Sequence, residues 1–117
     1  MSNDRNDRRN SDRAPLDIYL NKYVGGVPYL TRTSDISPEG VRLARLIEPE
    51  HAARRVGLQF QLPGSPEVIY AEGEVVREWA HDAPTEGSCL RFTLLTERHR
   101  RAIRDFVRAR APEPIAA

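Results

Sequence analysis

The sequence predicts an all-β domain with one C-terminal helix, built as a small six-stranded antiparallel β-barrel with the helix covering one end. Three observations support this. Short segments of alternating apolar and polar residues recur along the chain, turn-forming residues separate them, and one apolar stripe of helical period lies near the end. With 117 residues, of which 39% are hydrophobic, the chain can bury one core but is too short for two domains.

The first two strands are expected to form a hairpin. Apolar and polar residues alternate over residues 16–20, which predicts a half-buried strand that begins at Leu16. Gly25 and Gly26 interrupt the pattern, and residues 27–33 are again rich in β-branched and aromatic side chains. Residues 35–40 contain Asp, Ser, Pro and Gly, and are expected to form a structured connection to the next strand.

Later segments supply the remaining strands. Alternation returns over residues 41–43 and 56–62, and residues 67–79 make a strand long enough for Gly73 to mark a bulge or a bend. Residues 90–94 alternate once more and predict the final strand. Loops are expected where turn-forming residues cluster, at residues 48–53, 63–66 and 81–87.

The last predicted element is an amphipathic helix. Thr96 stands where an N-cap belongs, and Ile103, Phe106 and Val107 follow at the spacing of one helix face. We therefore expect a helix over about residues 96–110 that packs this stripe against the barrel.

The chain divides into three predicted parts. Residues 1–13 contain no aliphatic side chain after Met1 and read as a flexible N-terminal arm. Residues 14–110 form the barrel with its C-terminal helix, and residues 111–117 are expected to be a disordered tail.

Composition excludes several classes of function. Eighteen basic and seventeen acidic residues leave a net charge of +1, so the whole molecule is not a polycation, and an anion site must be local. The chain has no apolar run that could span a membrane and no apolar stretch at its start, which predicts a cytoplasmic protein. One cysteine and three widely spaced histidines predict neither a metal site nor a cofactor. The placement of these residues does not suggest a Ser-His-Asp or Cys-His catalytic arrangement either.

Two short motifs carry the functional information. Arg9-x-x-x-Arg13 precedes the first strand, and Asp35-x-Ser37-x-x-Gly40 follows the second. If these strands form a hairpin, both motifs emerge at the same end of the sheet. Arginines offer planar forks to phosphates and flat faces to bases, whereas Asp and Ser offer acceptors to the amino and imino edge of guanine. Together they predict a guanine nucleotide site.

The pair of motifs, in this order and spacing within a β-rich chain, resembles the PilZ domain family of bacterial cyclic di-GMP receptors. The resemblance covers residues 8–107, including the glycine-marked strand and the closing helix. It implies a six-stranded barrel that binds cyclic di-GMP without chemical conversion. By this resemblance Arg9 and Arg13 grip phosphates and stack on guanine, Asp35 and Ser37 hydrogen-bond a guanine edge, and Gly40 keeps the segment compact near the ligand.

Two further residues fit the resemblance and two depart from it. Arg8 matches an additional arginine that many relatives carry, and Trp79 is a candidate stacking partner. Glu39 stands where a second glycine is frequent, and Ala14 where a larger apolar residue is usual. Glu39 could repel a phosphate, or fit the backbone less well if that position needs a positive φ.

Each candidate also has a plain structural interpretation. The arm arginines could pair loosely with neighbouring aspartates in solvent, and Asp35 and Ser37 could satisfy their own turn. Trp79 could be half-buried packing, and Cys89 a small core residue. The histidines are expected at surface positions: His51, His81 and His99. The helix arginines are expected to form a solvated face rather than a nucleic-acid interface, because no aromatic residues are interleaved with them.

The mechanism expected from the resemblance is ligand-induced ordering. The residues before Leu16 would be disordered without ligand, and cyclic di-GMP would draw Arg9 and Arg13 onto the barrel, creating a surface that a partner protein reads. The alternative is a PilZ-like protein-interaction module that binds no nucleotide and acts in motility or polarity regulation. Neither version involves nucleic acid or membrane insertion.

Overall fold

A computed structural model of the chain describes residues 13–45, 54–79 and 87–110, which form seven strands and one helix. In chain order these elements are β1 Ala14–Pro15, β2 Tyr19–Val24, β3 Val27–Ser37, β4 Gly40–Arg45, β5 Arg55–Gln61, β6 Val68–Trp79, β7 Gly87–Leu94 and α1 Glu97–Arg110.

Six of the strands close into an antiparallel barrel. Around the barrel the order is β3, β2, β5, β6, β7 and β4, and pairing between β4 and β3 completes the circle. The short β1 pairs with β3 at Asp35 and Ile36, beyond Arg32, where the pairing of β3 with β2 stops. The helix α1 packs against β1 and β3. The predicted fold class is confirmed.

Alternation of side chains around the barrel builds a single core. Inward-facing aliphatic and aromatic residues from six strands meet the buried stripe of the helix, and burial of this apolar surface is the main force that closes the barrel. The most deeply buried large side chains are Ile36, Leu43, Leu58, Ile69, Ile103, Val41 and Thr31. Within the described ranges no helix is long and apolar enough to cross a membrane.

The β2–β3 hairpin turns on two glycines. Gly25 and Gly26 have φ of 58° and 82°, and Val24 pairs directly with Val27. A two-residue type I′ turn requires positive φ at both central positions, which glycine adopts without a steric penalty. The predicted hairpin is confirmed.

The predicted continuous strand from Leu16 is wrong, because a threonine side chain interrupts it. Thr33 Oγ1 donates a hydrogen bond to the Leu16 carbonyl at 2.5 Å and accepts one from the Ile18 amide at 3.0 Å. This hydroxyl replaces part of the strand ladder, so β1 ends at Pro15 and β2 begins at Tyr19. Leu16 is nevertheless buried, as alternation predicted.

The segment over residues 35–40 is also more compact than expected. Residues 35–37 are the end of β3, the turn consists only of Pro38 and Glu39, and Gly40 already begins β4. The expected connection is therefore a β-hairpin, in which Asp35, Ile36 and Ser37 pair directly with Arg42, Val41 and Gly40.

Three later predictions can be compared directly with the structure. The register between β6 and β7 shifts at Gly73, which confirms the bulge. The His99 amide donates to Thr96 Oγ1 at 3.2 Å, which confirms the N-cap. The placement of Cys89 in the core is wrong, because this residue lies on β7 at a half-exposed position. Cys89 pairs with Arg42, whose side chain is partly exposed, whereas the adjacent Leu90 faces inward.

Candidate functional site

The two motifs meet at the pairing of β1 with β3. Ala14 pairs with Ile36 and Pro15 with Asp35, so Arg13, two residues before Pro15, is on the same face as Asp35 and diagonal to it. Arg13 Nη1 donates to Asp35 Oδ1 at 2.5 Å, with both side chains partly exposed. The predicted proximity of these two residues is present in the structure. It also corrects the expectation of disorder before Leu16, since residues 13–15 are held by strand pairing and an ion pair.

A second arginine contacts the same carboxylate. Asp35 pairs across the strands with Arg42, and Arg42 Nη1 lies 3.5 Å from Asp35 Oδ2. Sequence reasoning missed Arg42, although alternation with the buried Val41 and Leu43 places it on the outer face of β4. The three side chains of this charged cluster, Arg13, Asp35 and Arg42, carry a net charge of +1.

Ser37 is buried and its hydroxyl serves the turn. Ser37 Oγ accepts from the Glu39 amide at 3.2 Å and from the Gly40 amide at 3.3 Å. Its proton is shared between the Glu39 carboxylate and the Gly40 carbonyl, each at 3.4 Å. The interpretation of Ser37 as a turn-forming residue therefore has direct structural support.

Gly40 is required by a close approach of two strands. Its backbone has no positive φ, but a Cβ at this position would lie 2.1 Å from the Leu90 carbonyl oxygen of β7. Glu39 is exposed on the turn, and its own carbonyl accepts a hydrogen bond from the Phe92 amide at 2.8 Å. The motif glycine thus lets β4 lie against β7.

The helix holds the same turn from the other side. Arg100 Nη1 donates to the Pro38 carbonyl at 2.6 Å, a contact that joins residues 62 positions apart. Arg98 is 81% exposed and pairs with Glu67, which fits the predicted solvated face, whereas Arg100 is half-buried and does not. No sequence pattern distinguished Arg100 from its neighbours, because its partner is a backbone atom.

A surface ion pair links the segment between β1 and β2 to β3. Asp17 accepts from Arg32 Nε at 2.6 Å and from Arg32 Nη2 at 2.9 Å. The hydrogen bond from Arg32 holds the pKa of the Asp17 carboxyl below its ordinary value. This pair ties residues 16–18, which follow Arg13, to β3.

Several predicted residues cannot be placed. Arg8, Arg9, His51 and His81 lie outside the described residues, as do the predicted loop at residues 48–53, the 111–117 tail and most of the arm. Trp79 ends β6 and pairs with Gly87, but its side chain lies outside the description. His99 is half-buried, with Nε2 3.3 Å from Glu67.

The charged cluster is built from guanidinium and carboxylate groups. Among residues 13–45, 54–79 and 87–110 no group of three or more His, Cys, Asp and Glu side chains could hold a metal ion. What the charged cluster offers is two guanidinium groups for an anion and one carboxylate for a hydrogen-bond donor. The cluster lies where β1, β3 and β4 meet on a small closed barrel.

Comparison with known proteins identifies the family. The sequence profile described as PilZ domain matches residues 7–109, and the chain therefore belongs to the PilZ domain family. PilZ domains are non-catalytic binding modules, and the family is one of cyclic di-GMP receptors. No curated protein matches the sequence significantly.

The fold is also found among solved structures. The chain is similar to the Bacillus subtilis inhibitor of motility (MotI/DgrA), with a TM-score of 0.68 and 16% sequence identity. The alignment covers 84% of this chain and 49% of that protein, so the chain spans about half of its length. At this identity the likeness concerns the fold.

Proposed function

We propose that the protein is a non-catalytic receptor for cyclic di-GMP that acts in the cytoplasm. The observation that carries the proposal is the ion pair between Arg13 and Asp35, because it joins the last residue of one motif to the first residue of the other. Membership of the PilZ family supports the choice of ligand. A dianionic purine dinucleotide fits a site that combines guanidinium groups with an acceptor for the guanine edge.

Each motif residue has a role in this proposal. Arg9 and Arg13 bind phosphate oxygens and stack on guanine, with Arg8 as a further cation and Trp79 as a further stacking surface. Asp35 accepts hydrogen bonds from a guanine edge. Its carboxylate can accept from more than one donor at a time, so Arg13 need not leave when guanine binds.

Ser37 and Gly40 act through the turn. The Ser37 hydroxyl accepts hydrogen bonds from two turn amides and thereby helps to fix the position of Asp35, two residues earlier. A hydrogen bond from Ser37 to guanine would be made from this fixed position. Gly40 allows β4 to approach β7. The rigid hairpin therefore presents Asp35 in a defined geometry.

Binding would act by ordering the arm that precedes Arg13. Fixing a residue costs about 1–2 kcal/mol of backbone entropy, so the charge-assisted bonds and stacking made by Arg8 and Arg9 have to exceed that cost. Because Arg13 is already held at Asp35, the cost is restricted to residues before it. The ordered arm and ligand form a new surface for a downstream partner protein.

Calorimetric titration with cyclic di-GMP tests the proposal. We expect saturable binding to the wild-type chain, and at least about tenfold weaker binding for Arg13→Ala, because a charge-assisted contact is lost. Arg55→Ala is the matched control, since Arg55 is exposed on β5, three strands away from β4 in either direction. Equal affinity of Arg13→Ala and wild type would contradict the assignment.

A second candidate function is a protein-interaction module that binds no nucleotide and regulates motility or polarity. The observation that favours it is the outer face formed by β3, β2, β5 and β6, where four large side chains are about half exposed: Tyr19, Leu30, Val68 and Tyr70. The similar fold of an inhibitor of motility points the same way. Absence of any chemical-shift change in an NMR titration with cyclic di-GMP would favour this candidate.

A further inference from the structure

The helix α1 lies behind the two strands that carry the motif residues. It packs against β1, which follows Arg13, and against β3, which ends within the second motif. Ala14 and Ile36, which pair across these strands, are buried in the same core cluster as Ile103 of the helix. Arg13 and Asp35 alternate with these two residues and therefore lie on the opposite, outer face. This strand pair thus has the charged cluster on one side and the helix on the other.

The turn between β3 and β4 is held from outside the hairpin at both of its residues. Arg100 Nη1 donates to the Pro38 carbonyl at 2.6 Å, and the Phe92 amide donates to the Glu39 carbonyl at 2.8 Å. The first bond comes from the helix and the second from β7. Of these two contacts, only the one from Arg100 is made by a side chain, so a substitution can release the helix from the turn without changing the strands.

Two arginines at the start of α1 contact different connections of the barrel. The Arg100 amide bonds to the Thr96 carbonyl at 2.9 Å, so Arg100 belongs to the first turn of the helix. Two residues earlier, Arg98 Nε lies 2.7 Å from Glu67, in the connection between β5 and β6. Arg98 is 81% exposed, whereas Arg100 is half-buried. Because water weakens an exposed ion pair, the shielded, charge-assisted bond of Arg100 is the stronger link between helix and barrel.

We propose that Arg100 is a positioning residue of the binding site, and that docking of α1 is coupled to the binding of cyclic di-GMP. The inference rests on the proposed function and adds to it the element of the barrel that responds to the ligand. With α1 docked, the turn after Ser37 is fixed and Asp35 is held ready for guanine, so less conformational freedom is lost on binding. Coupling between two sites is reciprocal, so a ligand bound at Arg13 and Asp35 also stabilises the docked helix.

Affinity measurements on helix variants give the first test. By calorimetry with cyclic di-GMP, Arg100→Ala is expected to bind about 5- to 10-fold more weakly than wild type, because the turn that positions Asp35 is no longer held by the helix. Arg100→Lys keeps a charged donor and should recover part of the loss. Arg98→Ala is the matched control, since it removes a contact of the same helical turn that does not reach the motif, and it should bind as wild type does. Circular dichroism with thermal melting checks that each variant is folded at the titration temperature.

Hydrogen exchange followed by NMR gives a second test, beginning with the unmodified chain. Saturating cyclic di-GMP is expected to slow exchange of the α1 amides at residues 100–104 severalfold, because local opening of the helix then opposes binding. In Arg100→Ala at saturating ligand the same amides should show no such slowing, while the amides of the β3–β4 turn are still protected. A general stabilisation of the fold by ligand would instead slow exchange in both proteins alike.

The outcomes separate this inference from the proposed function. If the wild-type chain does not bind cyclic di-GMP, the proposed function fails and this inference fails with it. If wild type binds and Arg13→Ala binds more weakly, the function stands. In that case the coupling would be overturned by equal affinity of Arg100→Ala and wild type, by equal losses for Arg98→Ala and Arg100→Ala, or by unchanged exchange in α1 at saturating ligand.

Discussion

Replacement of Gly40 by alanine tests why the second motif ends in glycine. The added Cβ would lie 2.1 Å from the Leu90 carbonyl oxygen, whereas ordinary van der Waals contact begins at 3.4 Å. The opposing atom belongs to the backbone of β7, so it cannot rotate away as a side chain can. β4 and β7 pair over five residues starting at Gly40, and relief of the contact has to separate the strands at that end.

The free-energy cost of Gly40→Ala can be compared with the usual effect of a Gly→Ala substitution. Gly→Ala at an unstrained position gains about 0.4–1 kcal/mol through the unfolded chain, whereas overpacking costs about 1–3 kcal/mol or more. Because the contact is far inside the van der Waals limit, we expect Gly40→Ala to lower the free energy of unfolding by about 2–3 kcal/mol. For a domain of this size that corresponds to a melting temperature lower by roughly 10 °C.

Thermal melting followed by circular dichroism measures the effect, with Gly57→Ala as the matched control. A Cβ at Gly57 would meet the Tyr70 hydroxyl at 2.9 Å, and this atom is the end of an exposed side chain that can move aside. The control should therefore change stability by less than about 1 kcal/mol. An unchanged melting temperature for Gly40→Ala, or equal losses for both variants, would refute the steric argument.

Three further predictions concern the elements around the site. Arg100→Ala removes the hydrogen bond to the Pro38 carbonyl and should cost about 1.5–3 kcal/mol, with faster amide exchange in the turn by NMR. Thr96→Ala removes the N-cap of α1 and should cost about 1 kcal/mol in thermal melting, which Thr96→Ser should largely restore. In an NMR pH titration the pKa of Asp17 should be lower than usual and return towards its ordinary value in Arg32→Ala. Because the folded pKa is depressed, the stability from this pair is present above the ordinary carboxyl pKa and is lost as pH falls through the lowered value.

The sequence predicted most of the fold because the barrel depends on local patterns. Alternating side chains identify strands, paired glycines identify a two-residue hairpin, and a threonine before an amphipathic stripe identifies a helix start. The break after Pro15 could not be predicted, because it depends on a hydroxyl from Thr33 on another strand. The half-buried position of Cys89 was missed for a different reason, because its placement in the core rested on residue type, whereas alternation with the buried Leu90 puts Cys89 on the other face of β7.

For the site, the two motifs were enough to predict that Arg13 and Asp35 lie close together, because a hairpin returns the chain to the end of the sheet at which its first strand began. They did not reveal Arg42, whose role depends on the register between β3 and β4. They allowed two roles for Ser37, a contact with guanine or a bond within its own turn, and the structure shows its hydroxyl accepting from the Glu39 and Gly40 amides.

Most strands, the closing helix and the pair of motifs can be read from the amino-acid sequence, because each depends on the spacing of residues close along the chain. Three contacts became visible only in the folded barrel: the Asp35 carboxylate shared by Arg13 and Arg42, the bond from Arg100 to the turn, and the close approach of β7 to Gly40. These depend on barrel closure and register, which place backbone and side-chain atoms distant in sequence within a few ångströms of each other.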